Sequence, residues 1–195
     1  MNTFVLATAN AHKANEMRAV LEGLGIELLE RPAHVAEVQE DADTLEGNAL
    51  LKARALVDAT GQPAIADDTG LFVDALDGAP GVFSARYAGE NATYADNVVK
   101  LLKSLEGVGE AERTARFRTV VVVAYPKGEP LIVEGSLGGS ISDEPRGDQG
   151  FGYDPVFLPE GGGGRSLAEM SPEEKNAISH RGRALRTLAQ ALAQR

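Results

Sequence analysis

Pro63-Ala64-Ile65-Ala66-Asp67-Asp68-Thr69-Gly70 joins an apolar run to two adjacent carboxylates and a turn-forming pair. A short apolar run bounded in this way reads as a buried strand. Open α/β sheets place their ligands at the carboxyl ends of strands, and two carboxylates there suit a divalent cation, one ligating the metal while the other orients water. Asp67 through Gly70 also has the composition of a polar turn, because Asp, Thr and Gly each favour turns. The rest of the chain has to decide between these readings.

Upstream, Thr3-Phe4-Val5-Leu6-Ala7-Thr8 predicts a first buried strand, and Met17, Val20, Leu21 and Leu24 recur at helical spacing between Asn10 and Gly25. Ile26–Leu29 predicts a second strand, followed by an acidic loop with Glu37, Glu40, Asp41 and Asp43. Thr44 is placed to cap a helix whose Leu45, Ala49, Ala53 and Leu56 form one stripe. Downstream, residues 77–89 read as a long loop, and Thr93 with Asp96 as a capping box opening a helix through Leu105.

Residues 115–125 and 131–137 are β-rich runs joined by Pro126-Lys127-Gly128-Glu129, the composition of a hairpin, where the sheet turns antiparallel. Residues 161–164 read as a flexible tip. Ser171-Pro172-Glu173-Glu174 starts the final helical segment, to which Ile178, Leu185, Leu188 and Leu192 give a buried stripe. The pattern is that of an α/β protein without internal repeat or linker. A length of 195 residues predicts a single domain with two lobes around a cleft.

The apolar fraction of 43% and charged fraction of 25% are those of an ordinary globular protein. A net charge of -10 opposes non-specific attraction to nucleic acid or to an anionic membrane, so neither is an expected partner. An anionic substrate then needs a local basic pocket or a metal. Without cysteine there is no disulfide, zinc-thiolate site or thiol nucleophile. The opening strand lacks the basic leader and long apolar core of a signal peptide, and no window approaches the roughly 20 apolar residues of a membrane span. A soluble cytoplasmic protein is expected.

The loop Thr8-Ala9-Asn10-Ala11-His12-Lys13 lies between the first strand and first helix, where exposed backbone N–H groups and the helix dipole favour a phosphate. It is not a GxxxxGK[ST] loop, and an Asn and a Lys there are also what a helix cap and a solvated charge look like. Glu40 stands twelve residues before Lys52, so an acidic loop leads into a helix carrying a cation. In Gly150-Phe151-Gly152-Tyr153-Asp154-Pro155, two aromatics can stack on a flat ring while the carboxylate accepts a ring N–H; a tight turn with core aromatics reads equally well. Lys175, Ser179, His180 and Arg181 supply several donors near one point, which suits a ring carbonyl or a phosphate.

Taken together, these motifs resemble the inosine triphosphate pyrophosphatases, enzymes of noncanonical purine nucleoside triphosphates. The resemblance spans nearly the whole chain: Thr8, Asn10 and Lys13; Gly47-Asn48-Ala49 with Lys52; Ala66-Asp67-Asp68-Thr69-Gly70-Leu71. Gly78-Ala79-Pro80-Gly81, Ser84-Ala85-Arg86-Tyr87-Ala88-Gly89, Phe151-Gly152-Tyr153-Asp154-Pro155, Glu174-Lys175-Asn176 and Ser179-His180-Arg181 complete it. It implies a Mg²⁺-dependent hydrolase converting ITP, dITP and XTP to the monophosphate and pyrophosphate. It also implies an elongated mixed sheet with flanking helices around a central cleft, in a homodimer.

The resemblance implies Asp68 as general base and metal-linked carboxylate, Glu40 as the metal-binding Glu, and Lys13 and Lys52 as phosphate contacts. Phe151, Tyr153, Asp154, Lys175, His180 and Arg181 match its base-recognition set, and Thr8 through Lys13 with Thr69 and Gly152 its remaining substrate contacts. Ala9 stands where the family often has Gly, which would tighten the phosphate loop if the position needed positive φ. Thr69 replaces a common Ser and keeps the hydroxyl. In this reading Arg181→Ala raises KM for ITP far more than it alters stability. Another Mg²⁺-dependent nucleotide phosphohydrolase, or a nucleotide sensor without turnover, are the rival readings.

Overall fold

The computed structural model describes residues 2–194. Its strands are β1 (Asn2–Leu6), β2 (Ile26–Leu29), β3 (Ala64–Val73), β4 (Pro80–Gly81), β5 (Thr114–Ala124), β6 (Leu131–Ile141) and β7 (Phe157–Pro159). Its α-helices are α1 (Ala11–Glu22), α2 (Leu45–Thr60), α3 (Tyr94–Ser104), α4 (Pro172–Ile178) and α5 (His180–Ala193). The strands form a mixed sheet in the order β2-β1-β3-β5-β6-β7, with β4 on β3. The expected α/β class is what the chain adopts.

The chain divides into two compact units. One takes residues through Asp68, then Thr119–Gly135, then His180 onward; the other takes Thr69–Arg118 and Ser136–Ser179. Each has its own apolar core. In the first unit β1 runs parallel to β2 (Phe4↔Leu28) and to β3 (Leu6↔Ile65), the pairing that helical crossovers produce. Phe4, Leu6, Ile65, Val121 and Val123 are buried there with Met17 and Leu21 of α1 and Leu185 and Leu188 of α5. Thr44 caps α2 by accepting from the Gly47 N–H at 3.0 Å, and Leu45, Ala49, Ala53 and Leu56 are buried, as the spacing predicted. In the second unit Leu71, Val73, Leu101, Phe117, Leu137, Ile141 and Phe157 form the core. The Thr93–Asp96 capping box opens α3, as read from the sequence.

Four expectations change. The strand ending at Ala66 instead continues to Val73, so Asp67 and Asp68 lie within β3. They sit just past its last pairing with β1, at the carboxyl edge of the parallel part of the sheet. Leu71 and Val73 are fully buried and carry the strand onward. Leu24 lies beyond α1 and is exposed, because the helix ends at Glu22. The final helical segment is two helices: Ser179 is extended (ψ 155), which separates Ile178 on α4 from the buried Leu185, Leu188 and Leu192 of α5.

Residues 77–89 are also more ordered than a plain loop. They hold β4, antiparallel to β3 through Leu71↔Gly81, and a 3-10 turn at Ser84–Arg86. Ser84 Oγ accepts from the Leu71 N–H at 2.8 Å and donates to the Gly81 carbonyl at 2.6 Å. Gly70 makes this closeness possible: a Cβ there would stand 2.6 Å from the Gly81 oxygen. Gly70→Ala is therefore expected to destabilise the chain by about 1–3 kcal/mol through overpacking, read as a lowered denaturant midpoint at unchanged slope.

Candidate active site

The pleat of β3 sends consecutive side chains to opposite faces of the sheet. Asp67 faces the side of α1 and α5: Lys13 Nζ lies 3.4 Å from its Oδ2, and Arg181 Nε and Nη2 donate to the same oxygen at 3.1 and 3.0 Å. Arg181 Nη1 also donates to Glu16 of α1. Asp68 faces α2, where Lys52 Nζ donates to its Oδ1 at 3.1 Å and Asn48 Nδ2 lies 3.4 Å from its Oδ2. Lys52 also donates to Glu40 Oε1 at 2.9 Å, so Glu40 and Asp68 converge on one positive charge. All of these groups belong to the first unit.

Burial alone would raise the Asp67 carboxyl, but Lys13, Arg181 and Lys52 outweigh it and hold the group well below the usual carboxylate range. Burial pushes the Asp68 carboxyl up, and Lys52 and Lys13 only partly oppose it. Lys13 is pulled down by burial that Asp67 only partly offsets, with Lys52 and Arg181 adding repulsion. Burial also works against Lys52, yet Asp68, Asp67 and Glu40 together hold its ammonium above the ordinary value. Four carboxylates thus meet three cations, and an arriving polyphosphate would add further negative charge. Among the described residues no three His, Asp or Glu side chains converge on one point.

Around the first helix, Asn10 accepts from the His12 and Lys13 N–H groups at 3.0 and 3.2 Å, and Thr8 Oγ1 accepts from the Asn10 N–H at 3.1 Å. Asn10 is thus the helix cap. Ala11 and His12 are exposed on its first turn, and Lys13 turns inward. Ala9 is not in the left-handed region, since Asp77 is the non-glycine residue with positive φ among those described. The Ala9 backbone therefore carries none of the left-handed strain that the sequence raised.

The aromatic segment lies in the second unit and behaves as a packed turn. Tyr153 is buried in the core and donates to the Ser84 carbonyl at 2.9 Å, and burial drives its hydroxyl pKa upward. Asp154 Oδ2 accepts from the Phe151 N–H at 2.7 Å and from Lys175 Nζ at 2.5 Å. Gly150 permits that turn, because a Cβ there would stand 2.2 Å from Asp154 Oδ2 and its φ is +73. Gly152, at φ 65, also adopts the left-handed conformation. Phe151 is partly exposed, with Lys175 Nζ 4.8 Å from its ring centre and the Tyr94 ring at 5.9 Å. Thr69, half-buried, follows Asp68 on β3.

His180 and Arg181, by contrast, belong to the first unit. His180 Nδ1 is 2.6 Å from Thr119 Oγ1. Sequence reasoning gave no role to Asn48, although it lies in a motif of the resemblance, and did not single out Glu16 or Thr119. Asn48 carried a signal: it is a polar residue between Leu45 and Lys52 on the inner flank of α2. Glu16 and Thr119 had none, because their partners are remote in sequence.

The chain belongs to the Ham1 family, whose model matches residues 4–191. It is 53% identical over 188 residues to a dITP/XTP pyrophosphatase of Lactiplantibacillus plantarum, covering 95% of this chain and 92% of that protein. It is 50% identical over 190 residues to the protein of the same name from Geobacter sulfurreducens, covering 96% and 95%. A Ham1 protein structure from Coxiella burnetii superposes with a TM-score of 0.90 at 43% identity, covering 100% of each chain. A nucleoside-triphosphatase, dITP/XTP pyrophosphatase, from Mycobacterium abscessus gives 0.75 at 44%, covering 95% of this chain and 97% of that one.

The Arg181 geometry reverses the stability expectation drawn from the sequence. Its guanidinium is 2% exposed and holds the fully buried Asp67, so Arg181→Ala removes the guanidinium bonds to a buried carboxylate and leaves it to the weaker attraction of Lys13, at 3.4 Å, and Lys52. A loss of about 3–5 kcal/mol is expected in denaturant unfolding at neutral pH. Because the Asp67 carboxyl is held low in the folded state, its stabilising contribution is present above about pH 4 and is lost as pH falls through the depressed value. The difference between wild type and variant should shrink on acidification.

Proposed function

We propose that the chain hydrolyses noncanonical purine nucleoside triphosphates, ITP, dITP and XTP, to the monophosphate and pyrophosphate, clearing deaminated purines from the nucleotide pool. The observation that carries this is Asp68: a buried carboxylate at the carboxyl edge of the parallel strands, between Lys52 and Asn48 and opposite Glu40. Near-full-length identity of 53% and 50% to proteins named dITP/XTP pyrophosphatase supports the substrate class.

In this reading Asp68 accepts the proton of the attacking water, and a carboxyl pushed upward by burial is the better base. Lys13, below its ordinary value beside two other cations, gains from an anionic oxygen. Lys52 and Lys13 would neutralise the phosphate oxygens as negative charge moves to the departing pyrophosphate. Thr69 and the Thr8 to Lys13 loop are proposed as further substrate contacts. Glu40 and Asp68 fit a hard divalent cation, since their oxygens already converge on the Lys52 ammonium. Two carboxylates with the remaining ligands drawn from water and phosphate is the habit of Mg²⁺. When bound, Mg²⁺ would supply charge neutralisation at the phosphates.

For the base, His180 is proposed as a donor to the 6-carbonyl. Arg181, Asp154 and Tyr153 are proposed to act through the elements they hold. The proposal includes a homodimer and a cytoplasmic setting, checked by sedimentation velocity and by fractionation. No described helix is long and apolar enough to cross a membrane.

Incubation with Mg²⁺ and a panel of ITP, XTP, dITP, ATP and GTP tests the reaction. Pyrophosphate released selectively from the deaminated purines is expected; orthophosphate as product, or equal turnover of ATP, overturns the reading. Asp68→Asn is expected to lower kcat by at least about 100-fold, the low end for a general base, while nucleotide binding persists. Near-normal turnover would remove Asp68 from that role.

A further inference from the structure

β5 lays Ala115, Phe117, Thr119, Val121 and Val123 along one of its faces, by the period of the strand. All five are buried, and Thr119 alone among them carries a polar side chain. A valine has the same shape, and a hydroxyl buried without a partner is costly, so a threonine here calls for a specific bond. One such bond runs to His180, itself 3% exposed, with Oγ1 2.6 Å from Nδ1.

Either atom of this pair can be the donor, and the tautomer of the ring decides which. If the Thr119 hydroxyl donates, Nδ1 accepts through its lone pair, and the ring proton of a neutral imidazole stands on Nε2. The imidazole is held from its backbone too. Gly135 of β6 lies so close to the start of α5 that a Cβ on it would stand 2.1 Å from the His180 carbonyl oxygen.

We propose that Thr119 is a specificity-determining positioning residue: it fixes His180 as the Nε2–H tautomer, which donates to a 6-oxo purine and cannot accept from a 6-amino purine. The inference rests on the base-recognition role proposed for His180. A donor that meets the amino group of adenine is left unmatched, which is how a buried polar site rejects a near-isosteric ligand. Thr119 touches no substrate in this account. It acts only through the tautomer.

Thr119→Val and Thr119→Ser separate this role from simple packing. Long-range ¹H–¹⁵N spectra of ¹⁵N-histidine protein, with the His180 signals assigned by their loss in His180→Gln, are expected to show Nε2–H with Nδ1 as acceptor in the wild type and in Thr119→Ser. Thr119→Val should show mixed tautomers. The ratio of kcat/KM for dITP over dATP should fall about tenfold in Thr119→Val, the worth of one hydrogen bond. The change should come chiefly through KM, with the ratio recovering in Thr119→Ser. An Nδ1–H tautomer in the wild type overturns the proposal whatever the turnover. So does a dITP preference unchanged in Thr119→Val. If His180→Gln keeps full selectivity while the tautomer behaves as expected, the base-recognition reading fails instead and takes the specificity role with it.

Discussion

Two carboxylates in consecutive positions of a buried strand are the constraint on which the rest of the structure depends. Asp67 is fully buried and Asp68 nearly so, and each requires a counter-charge within reach. The strand pleat gives each its own face, so the counter-charges must come from different elements. Asp67 recruits Lys13 from α1 and Arg181 from α5; Asp68 recruits Lys52 and Asn48 from α2. In this way an electrostatic requirement on one dipeptide fixes where three helices of the first unit stand.

The two sides are not equivalent. Asp67 is locked low by its partners, and Glu16 holds the far side of the Arg181 guanidinium. That side is built for permanence. Asp68 is left raised by burial, with a lysine that it shares with Glu40 and an amide at 3.4 Å. A carboxylate incompletely compensated in this way favours an incoming cation. The difference gives physical content to the distinct roles proposed for two adjacent residues of the same type. The buried polar contacts of the second unit also maintain local shape: Asp154 closes the turn at Phe151 and anchors Lys175, and Tyr153 ties that turn to Ser84.

Much of this was legible in the chain. Local signals were read correctly where the physics is local: Thr44, Thr93 and Ser171 cap helices because a hydroxyl reaches an N–H a few residues on. The stripe Leu45, Ala49, Ala53, Leu56 faces inward because of helical period. Asn10 was readable as a cap, and it is one. The reading failed where distant residues override local preference. Asp and Gly disfavour strands, so local preference ends β3 at Ala66, whereas remote cations and the closeness of β4 let it continue to Val73. The final segment reads as one helix because its apolar stripe crosses Ser179 without a break in period.

The sequence by itself determined where most helices begin, their caps and the set of charged residues from which a site could be made. Those properties rest on neighbours within a turn or two of one another. The tertiary structure decided which charges meet. Asp67 and Arg181 are 114 residues apart, Glu16 and Arg181 165, and Thr119 and His180 61. No periodicity carries such pairings, because they arise only when burial in one core forces each polar group to find a partner there.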